Sequence, residues 1–343
     1  MTPGPDYTVV VPTVGRPSLA VLLDALAAGG APLPREVVVV DDRRSPDAAL
    51  LDRAPVALAD RTRVLRGPAR GPAAARNVGW RASTSPWVAF LDDDVVPVDG
   101  WAAGLAHDLA GLPAEVVGSQ GRIVVPLPGG RRPTDWERNV SGLERACWAT
   151  ADLAYRRPAL ERVGGFDERF PRAYREDADL GLRLNATGGV IVRGERVVHH
   201  PVRPAPWWVS VPLQAGNADD VVMRALHGPD WRLDAAAPPG RFARHATTTA
   251  VGLAAVAFAL AGRRRATTVA GAAWVAATAE LAWARIGPGP RTPDEIGAMV
   301  ATSVVLPPVA TAHRMRARLS LRRRLAAPGA PRAQPGGAGI RTA

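Results

Sequence analysis

Residues 87 to 97 read WVAFLDDDVVP, an apolar run of strand length that ends in three adjacent carboxylates, Asp92, Asp93 and Asp94. At the end of a buried strand, mutual repulsion and lost hydration make three ionised carboxylates costly unless a cation neutralises them. A hard divalent ion such as Mg²⁺ or Mn²⁺, shared with a diphosphate, would do so. The plainer reading is an acidic turn, and the place of the triplet at the end of a strand in an alternating pattern favours the metal. The stretch VVVVDD, 37 to 42, repeats the arrangement with Asp41 and Asp42. One of these could accept hydrogen bonds from a nucleotide's base or ribose, or Asp42 could cap a following turn. Arg76 in AAARNVG stands early on a helix, where it could meet a phosphate or a base carbonyl, or sit on a solvated face. REDADLGLRL puts Glu176, Asp177 and Asp179 in a first helical turn. There they are dipole partners, or one of them is a general base for an acceptor hydroxyl. His199 and His200 close RVVHH, and strand alternation lets only one of them face a site.

Positioning these groups requires a particular frame. YTVVVP (7 to 12) and REVVVVDD (35 to 42) are β-branched runs, and RPSLAVLLDALAA between them has apolar residues at helical spacing. RTRVLRG (61 to 67) reads as a third strand, 71 to 83 as a helix opened by Gly-Pro, and 87 to 93 as a fourth strand. The alternation predicts an α/β fold, a mostly parallel sheet with helices on both faces, whose ligands bind at the carboxyl ends of the strands. Beyond residue 100 the pattern predicts a helix over 101–111, strands near 116–118 and 121–126, a polar loop, then ALERVGGFDERF and the helical EDADLGLRLNATG, followed by the separate strand-like stretches GVIVRG and RVVHHP.

The chain has 343 residues, 47% of them hydrophobic, enough for a large core, and its net charge is +11. All 43 basic residues are Arg, which discounts the functional weight of the excess. Its location is more informative: residues 1–220 hold 26 Arg against 27 acidic residues, and 221–343 hold 17 against 5. One cysteine, Cys147, fits a reducing compartment, and the first residues lack the features of a signal peptide.

VVVPTVGRP, VVVVDD, AARNVG, VAFLDDD, ADLAYRR, VGGFDERF and REDADLGLR, in this order, resemble the family 2 glycosyltransferases of the GT-A fold, from residue 7 to about 205. The resemblance implies a nucleotide-diphosphate sugar donor, Mg²⁺ or Mn²⁺, and inversion by direct displacement. Carried over by position, it makes Asp41 the contact to the donor base and Arg76 the arginine near the nucleotide. Asp92 and Asp94 become the outer positions of the D-x-D motif, with Asp94 the direct metal ligand and Asp92 nearer the ribose. Asp177, second of the Glu176–Asp177 pair, becomes the base, and His200 completes the metal site, with His199 as fallback. Asp152 contacts the transferred sugar or acceptor, and Pro12, Asp42 and Asp93 join the donor-binding set. A Q-x-x-R-W motif is absent from the sequence, so processive synthesis is not supported.

The C-terminal third carries weakly polar runs at 246–262, 266–284 and 296–312, each near the length of a membrane-spanning helix but poor in large apolar residues. With a cytoplasmic catalytic domain, three spans would export Arg263 to Arg265 and the basic stretch near 313–324, against the positive-inside tendency. Helices lying on the inner leaflet suit the charges better; the rival is a soluble Ala-rich subdomain. The expected organisation is a catalytic domain over 1–220, a basic helical, membrane-associating region over 221–325 and a disordered tail over 326–343. The acceptor is then a hydroxyl on a lipid-linked or cell-envelope glycan. Nucleic acid is not an expected partner, because no recognised module supports it. Two rivals to an inverting glycosyltransferase are a nucleotide-sugar-binding protein without turnover and a nucleotidyltransferase.

Overall fold

The computed structural model describes residues 5–46, 49–50, 54–327 and 329. In chain order the elements are β1 (Tyr7–Thr13), α1 (Ser18–Ala28), β2 (Glu36–Asp41), β3 (Thr62–Arg66), α2 (Pro72–Ala82), β4 (Trp87–Leu91), β5 (Val96–Pro97), α3 (Trp101–Leu109), β6 (Val116–Val124), α4 (Asp135–Ser141), β7 (Asp152–Arg156), α5 (Arg157–Val163), α6 (Glu176–Ala186) and β8 (Val190–His199). Then come the helices α7 (Ser210–Leu213), α8 (Gly216–His227), α9 (Trp231–Asp234), α10 (Phe242–Leu260), α11 (Arg264–Ile286), α12 (Pro293–Leu319) and α13 (Leu321–Ala326).

The strands form one sheet in the order β3-β2-β1-β4-β7-β6-β8-β5, parallel from β3 to β4 and mixed beyond, where β7 runs antiparallel to both β4 and β6. The β-branched runs are buried on both faces, as covered parallel strands must be. Val9, Val11, Val37 and Val39 face α1 and α3 on one side, and Val10, Val38 and Val40 face α2 and α5 on the other. This is an α/β architecture, a mostly parallel sheet flanked by helices as the sequence predicts, followed by a C-terminal helical region.

Two features of the topology open a cleft. The chain adds β2 and β3 on one side of β1 and then returns to place β4 on the other, so the order reverses between β1 and β4. Ligands of open α/β sheets bind in such a crevice. The two strands also part there: pairing ends at Val10↔Phe90, while β1 continues beside β2 to Thr13↔Asp41. Pro12, which has no N–H to offer a ladder, lies beyond the last β4 pair. α2 lies close on this sheet because position 79 is glycine: a Cβ there would collide with the side chain of Val10.

Several elements differ from the sequence expectation. The two strands expected near 116–126 are one strand, as are GVIVRG and RVVHHP; register shifts flank 117 and 121, and Gly194 lets β8 pass against Asp108 without a break. The expected polar loop contains α4, opened by a reciprocal capping box between Thr134 and Glu137. The expected boundary after 220 falls inside α8, whose Val222 and Met223, with Trp231, belong to the core of the sheet's second face. The three weakly polar runs are α10, α11 and α12, and of the expected tail only 326, 327 and 329 lie within the described residues.

Candidate active site

The acidic triplet turns directly from the end of β4 into β5, and β5 pairs with the end of β8 through Val96↔His199 and Pro97↔Val198. That pairing sets His200 beside Asp94, with Nε2 3.6 Å from Asp94 Oδ1. His200 is buried and His199 exposed, as alternation along the strand requires, which decides which imidazole faces the cleft. Asp92, Asp94 and His200 each offer a ligand atom, and these atoms lie within 4.8 Å of one another.

The three aspartates have separate surroundings. Asp92 is half-buried and accepts a hydrogen bond from Arg76 Nη2 at 2.6 Å. Asp94 meets Arg203 Nε at 2.9 Å, and burial, reinforced by the charge of Asp92, pushes its carboxyl up, with His200 and Arg203 opposing. Asp93 points the other way: it is 1% exposed, accepts from Thr13 Oγ1 at 2.5 Å and pairs with Arg16 at 2.6 Å. It ties the end of β4 to the loop after β1, with both carboxylate oxygens engaged there.

Arg76 connects this cluster to the second acidic pair. Projecting from α2 and 1% exposed, it donates from Nη2 to Asp92 and from Nη1 to Glu176 Oε1 at 2.9 Å, over the ring of Phe166. Its Nε and Glu176 Oε2 are buried without a hydrogen-bond partner. Arg175, immediately before α6, has φ +78°, a conformation unusual for a non-glycine residue, and its guanidinium is held by Asp220 and stacked on Tyr174 and Trp231. α6 starts there with Glu176 turned inward and Asp177 half-buried at the surface. Burial, then the charge of Asp177, pushes Glu176 up to about 8. Burial also raises Asp177, while the Ala178 N–H that it accepts at 2.7 Å and the charges of Arg76 and Arg175 oppose. Phe90, Phe166 and Tyr155 supply the apolar surroundings responsible, and the buried Tyr155 hydroxyl has no partner.

Three further expected residues are engaged elsewhere. Both oxygens of Asp42 accept backbone N–H groups, from Ala69 at 2.7 Å and Gly71 at 2.8 Å, which fixes the loop ahead of α2. Asp41 is gripped by Arg43 through Nε and Nη2, both at 2.9 Å, and these contacts hold its carboxyl below the usual range. Asp152 is fully buried and accepts from Trp101 Nε1 and Arg196 Nε, each at 2.8 Å, so both of its oxygens are engaged in bracing β7 against α3 and β8. Asp179 likewise pairs with Arg183 and His227.

Sequence reading missed Arg203, Thr13 and Arg16. Their roles come from long-range partners, and only the motif VVVPTVGRP placed two of them near a strand end.

The donor set fits a divalent ion. Asp92, Asp93, Asp94, Glu176 and Asp177 bring five carboxylates, and Arg16, Arg76 and Arg203 pair with them, leaving a formal charge of −2 with all groups ionised. His200 Nδ1 is buried without a partner. Two carboxylates and an imidazole suit Mg²⁺ or Mn²⁺.

Residues 8–164 match the family described as glycosyl transferase family 2. That matched segment is just under half of this chain. Two curated relatives are similar over parts of it. A pre-mycofactocin glycosyltransferase of Mycobacterium tuberculosis is 33% identical over 153 residues, covering 40% of this chain and 30% of the relative. An N-acetylglucosaminyl-diphospho-decaprenol L-rhamnosyltransferase of the same species is 46% identical over 66 residues, 19% of this chain and 20% of the relative. The chain thus spans less than a third of the length of these relatives. Among solved structures, a mannosyltransferase from Pyrobaculum calidifontis, in complex with GDP-Man and Mn²⁺, is 20% identical with a TM-score of 0.49, covering 93% of this chain and 87% of that one. The family 2 segment contains Arg76 and the aspartate triplet, while Glu176, Asp177 and His200 lie beyond its matched end.

Proposed function

We propose that this protein transfers a sugar, with inversion, from a nucleotide-diphosphate donor to a hydroxyl on a lipid-linked or cell-envelope acceptor, at the inner face of a cell membrane. One observation carries the reading. In a chain whose residues 8–164 match family 2, Arg76 joins the Asp92–Asp94–His200 cluster to the Glu176–Asp177 pair at the crevice where β1 and β4 part. The glycosyltransferases similar to this chain support sugar transfer, and the N-acetylglucosaminyl-diphospho-decaprenol rhamnosyltransferase among them supports a lipid-diphosphate acceptor.

A divalent ion held by Asp92, Asp94 and His200 would stabilise the charge on the departing nucleoside diphosphate without proton transfer. The chain's own residues supply the rest. Asp177, half-buried in surroundings that raise its pKa, removes the acceptor hydroxyl's proton as that oxygen attacks the anomeric carbon. The bond from that carbon to the diphosphate oxygen breaks in the same displacement. Arg76 holds Asp92 and Glu176 at a fixed separation, so the donor side and the acceptor side stay in register. Thr13 and the Asp41–Arg43 pair stand at the ends of β1 and β2, where the family resemblance puts the base.

The test is a thermal-shift screen of nucleotide sugars with and without Mn²⁺, followed by product analysis with the stabilising donor. Release of nucleoside diphosphate with a glycosylated acceptor is expected. Pyrophosphate release would identify a nucleotidyltransferase, and stabilisation without turnover a binding protein.

A further inference from the structure

α10 and α11 form an antiparallel hairpin. Arg244 pairs with Glu280 at 2.6 Å at its base, and Gly252 packs against Trp274 farther out. α12 crosses only the base, where Thr249 meets Thr311 and Arg285 meets Thr302 and Ser303. Beyond this crossing the hairpin is uncovered: no residue from 249 to 277 is buried. This stretch is nevertheless apolar, with Leu253, Val256, Leu260 (86% exposed), Val269 (71% exposed) and Val275 all on its surface. Its only charges are Arg263, Arg264 and Arg265 at the tip, and no acidic residue occurs between 235 and 279. None of the three guanidiniums meets a carboxylate among the described residues.

We propose that this hairpin docks the protein on an anionic lipid bilayer, lying in the interface with its apolar flank at the headgroup and acyl boundary and Arg263 to Arg265 on lipid phosphates. The arrangement of charges selects this occupant and this orientation. An apolar surface that ends in three unpaired cations matches the acyl and phosphate layers of one leaflet. Insertion end-on is disfavoured: 249 to 260 spans about 18 Å, roughly half of the ~30 Å hydrocarbon core, and would leave three Arg near its middle. Trp283 of α11 is exposed, as are Trp207 and Trp208 just ahead of Ser210, which bonds Arg285 of α11, and exposed Trp suits an interfacial belt. Trp136, Leu213, His245, Leu281 and Leu306 line a cavity of about 340 Å³, and Trp136 Nε1 donates to the carbonyl of Arg203, the partner of Asp94. Docking would therefore bring the segment that follows His200 to the membrane. That purpose rests on the proposed lipid-linked acceptor, whereas docking itself does not.

Co-flotation of the full chain with vesicles requires neither donor nor acceptor, so its failure is separate from failure of the transferase reading. The protein is expected to float with phosphatidylglycerol-containing vesicles and not with pure phosphatidylcholine, and to be released by high salt. Arg263→Gln/Arg264→Gln/Arg265→Gln should weaken partitioning roughly 10²-fold, at about fivefold for each Arg near an anionic surface. Val256→Glu/Leu260→Glu should abolish it. Because all five positions are exposed, both variants should melt at the wild-type temperature. Equal flotation of wild type and both variants would overturn the proposal. So would failure of the wild type to float, or lipid-free sedimentation showing a dimer that either variant dissolves while vesicle binding is absent.

Discussion

Asp177 and Glu176 are neighbours on one helix turn, yet their surroundings give them different work. Asp177 is half-buried and, in the proposed mechanism, must be ionised to act. Activity should therefore rise with pH through a limb above the ordinary aspartate range, the direction in which burial moves this carboxyl. Asp177→Asn should lower turnover roughly 10²-fold or more with donor KM nearly unchanged, because the amide keeps the shape and cannot take a proton. Normal turnover in a pH–rate series of this variant would reassign the base. Glu176 is enclosed, and its pKa is raised from 4.5 to about 8. The unfolded chain releases this proton near 4.5 and the folded chain holds it until about 8, so the group's stabilising contribution is full below 4.5 and is lost as pH rises to 8. Denaturant titrations between pH 5 and 8.5 should show wild-type stability falling with a slope of up to about 1.4 kcal/mol per unit from this group. Glu176→Gln should flatten that slope, and parallel slopes would mean that Arg76 keeps Glu176 ionised throughout. That the outer aspartates and His200 stand together was legible in the sequence, because these residues end apolar strands. The inward engagement of Asp93 and Asp152 was not, because Arg16 and Arg196, the partners that turn them inward, lie 77 and 44 residues away.

Elements set these residues only as accurately as the sheet seats the helices. α2 carries Arg76, and its approach to β1 depends on the absence of a side chain at Gly79. Gly79→Ala sets two effects against each other. Helix propensity favours Ala by about 1 kcal/mol, and collision of its Cβ with Val10 in a packed core costs about 1–3 kcal/mol. The collision should win, lowering the melting temperature and weakening donor binding as Arg76 shifts from Asp92 and Glu176. Gly297→Ala, on α12, is the control: a Cβ there meets nothing within 4 Å, so only the propensity gain remains and stability should rise by up to about 1 kcal/mol. If both variants were stabilised in a denaturant titration, the close seating of α2 would not matter. Periodicity revealed the elements of the parallel half because both faces of those strands are buried and the runs are continuous. It split β6 and β8, whose glycines interrupt the apolar pattern without interrupting the ladder. It also passed over α4, although Thr134 and Glu137 carry the spacing of a capping box.

At the scale of the whole molecule, the near-neutral α/β part and the strongly basic helical part are joined where α12 packs on α8 through Ala218, Val221 and Ala317, and through a polar joint in which Arg285 is central. From α11 it donates to Asp135 Oδ2 of α4 at 2.7 Å, to Ser210 Oγ of α7 at 3.0 Å, and to Thr302 and Ser303 of α12 at 2.7 and 3.2 Å. Arg138 and Glu295 add two bonds across the same joint, to the Arg285 carbonyl and the Asp135 N–H. Composition indicated that the two parts differ, but not where they meet. The charge change near 221 falls within α8, which gives Val222 and Met223 to the sheet's core and Ala218 and Val221 to the packing against α12. We propose that the helical part is a separable unit anchored by this arginine. Arg285→Met keeps the bulk and removes five donors, leaving Thr302, Ser303 and Ser210 short of a partner and Asp135 with Arg138 alone. About 1–3 kcal/mol of local stability should be lost, the range for buried polar groups left unpaired. Hydrogen exchange should quicken in α4, α7 and α10 to α12 while β1, β2 and β4 keep their protection, and donor-induced thermal stabilisation should persist because Arg76 and Asp94 are untouched. Uniform quickening across the sheet would show that the two parts unfold as one.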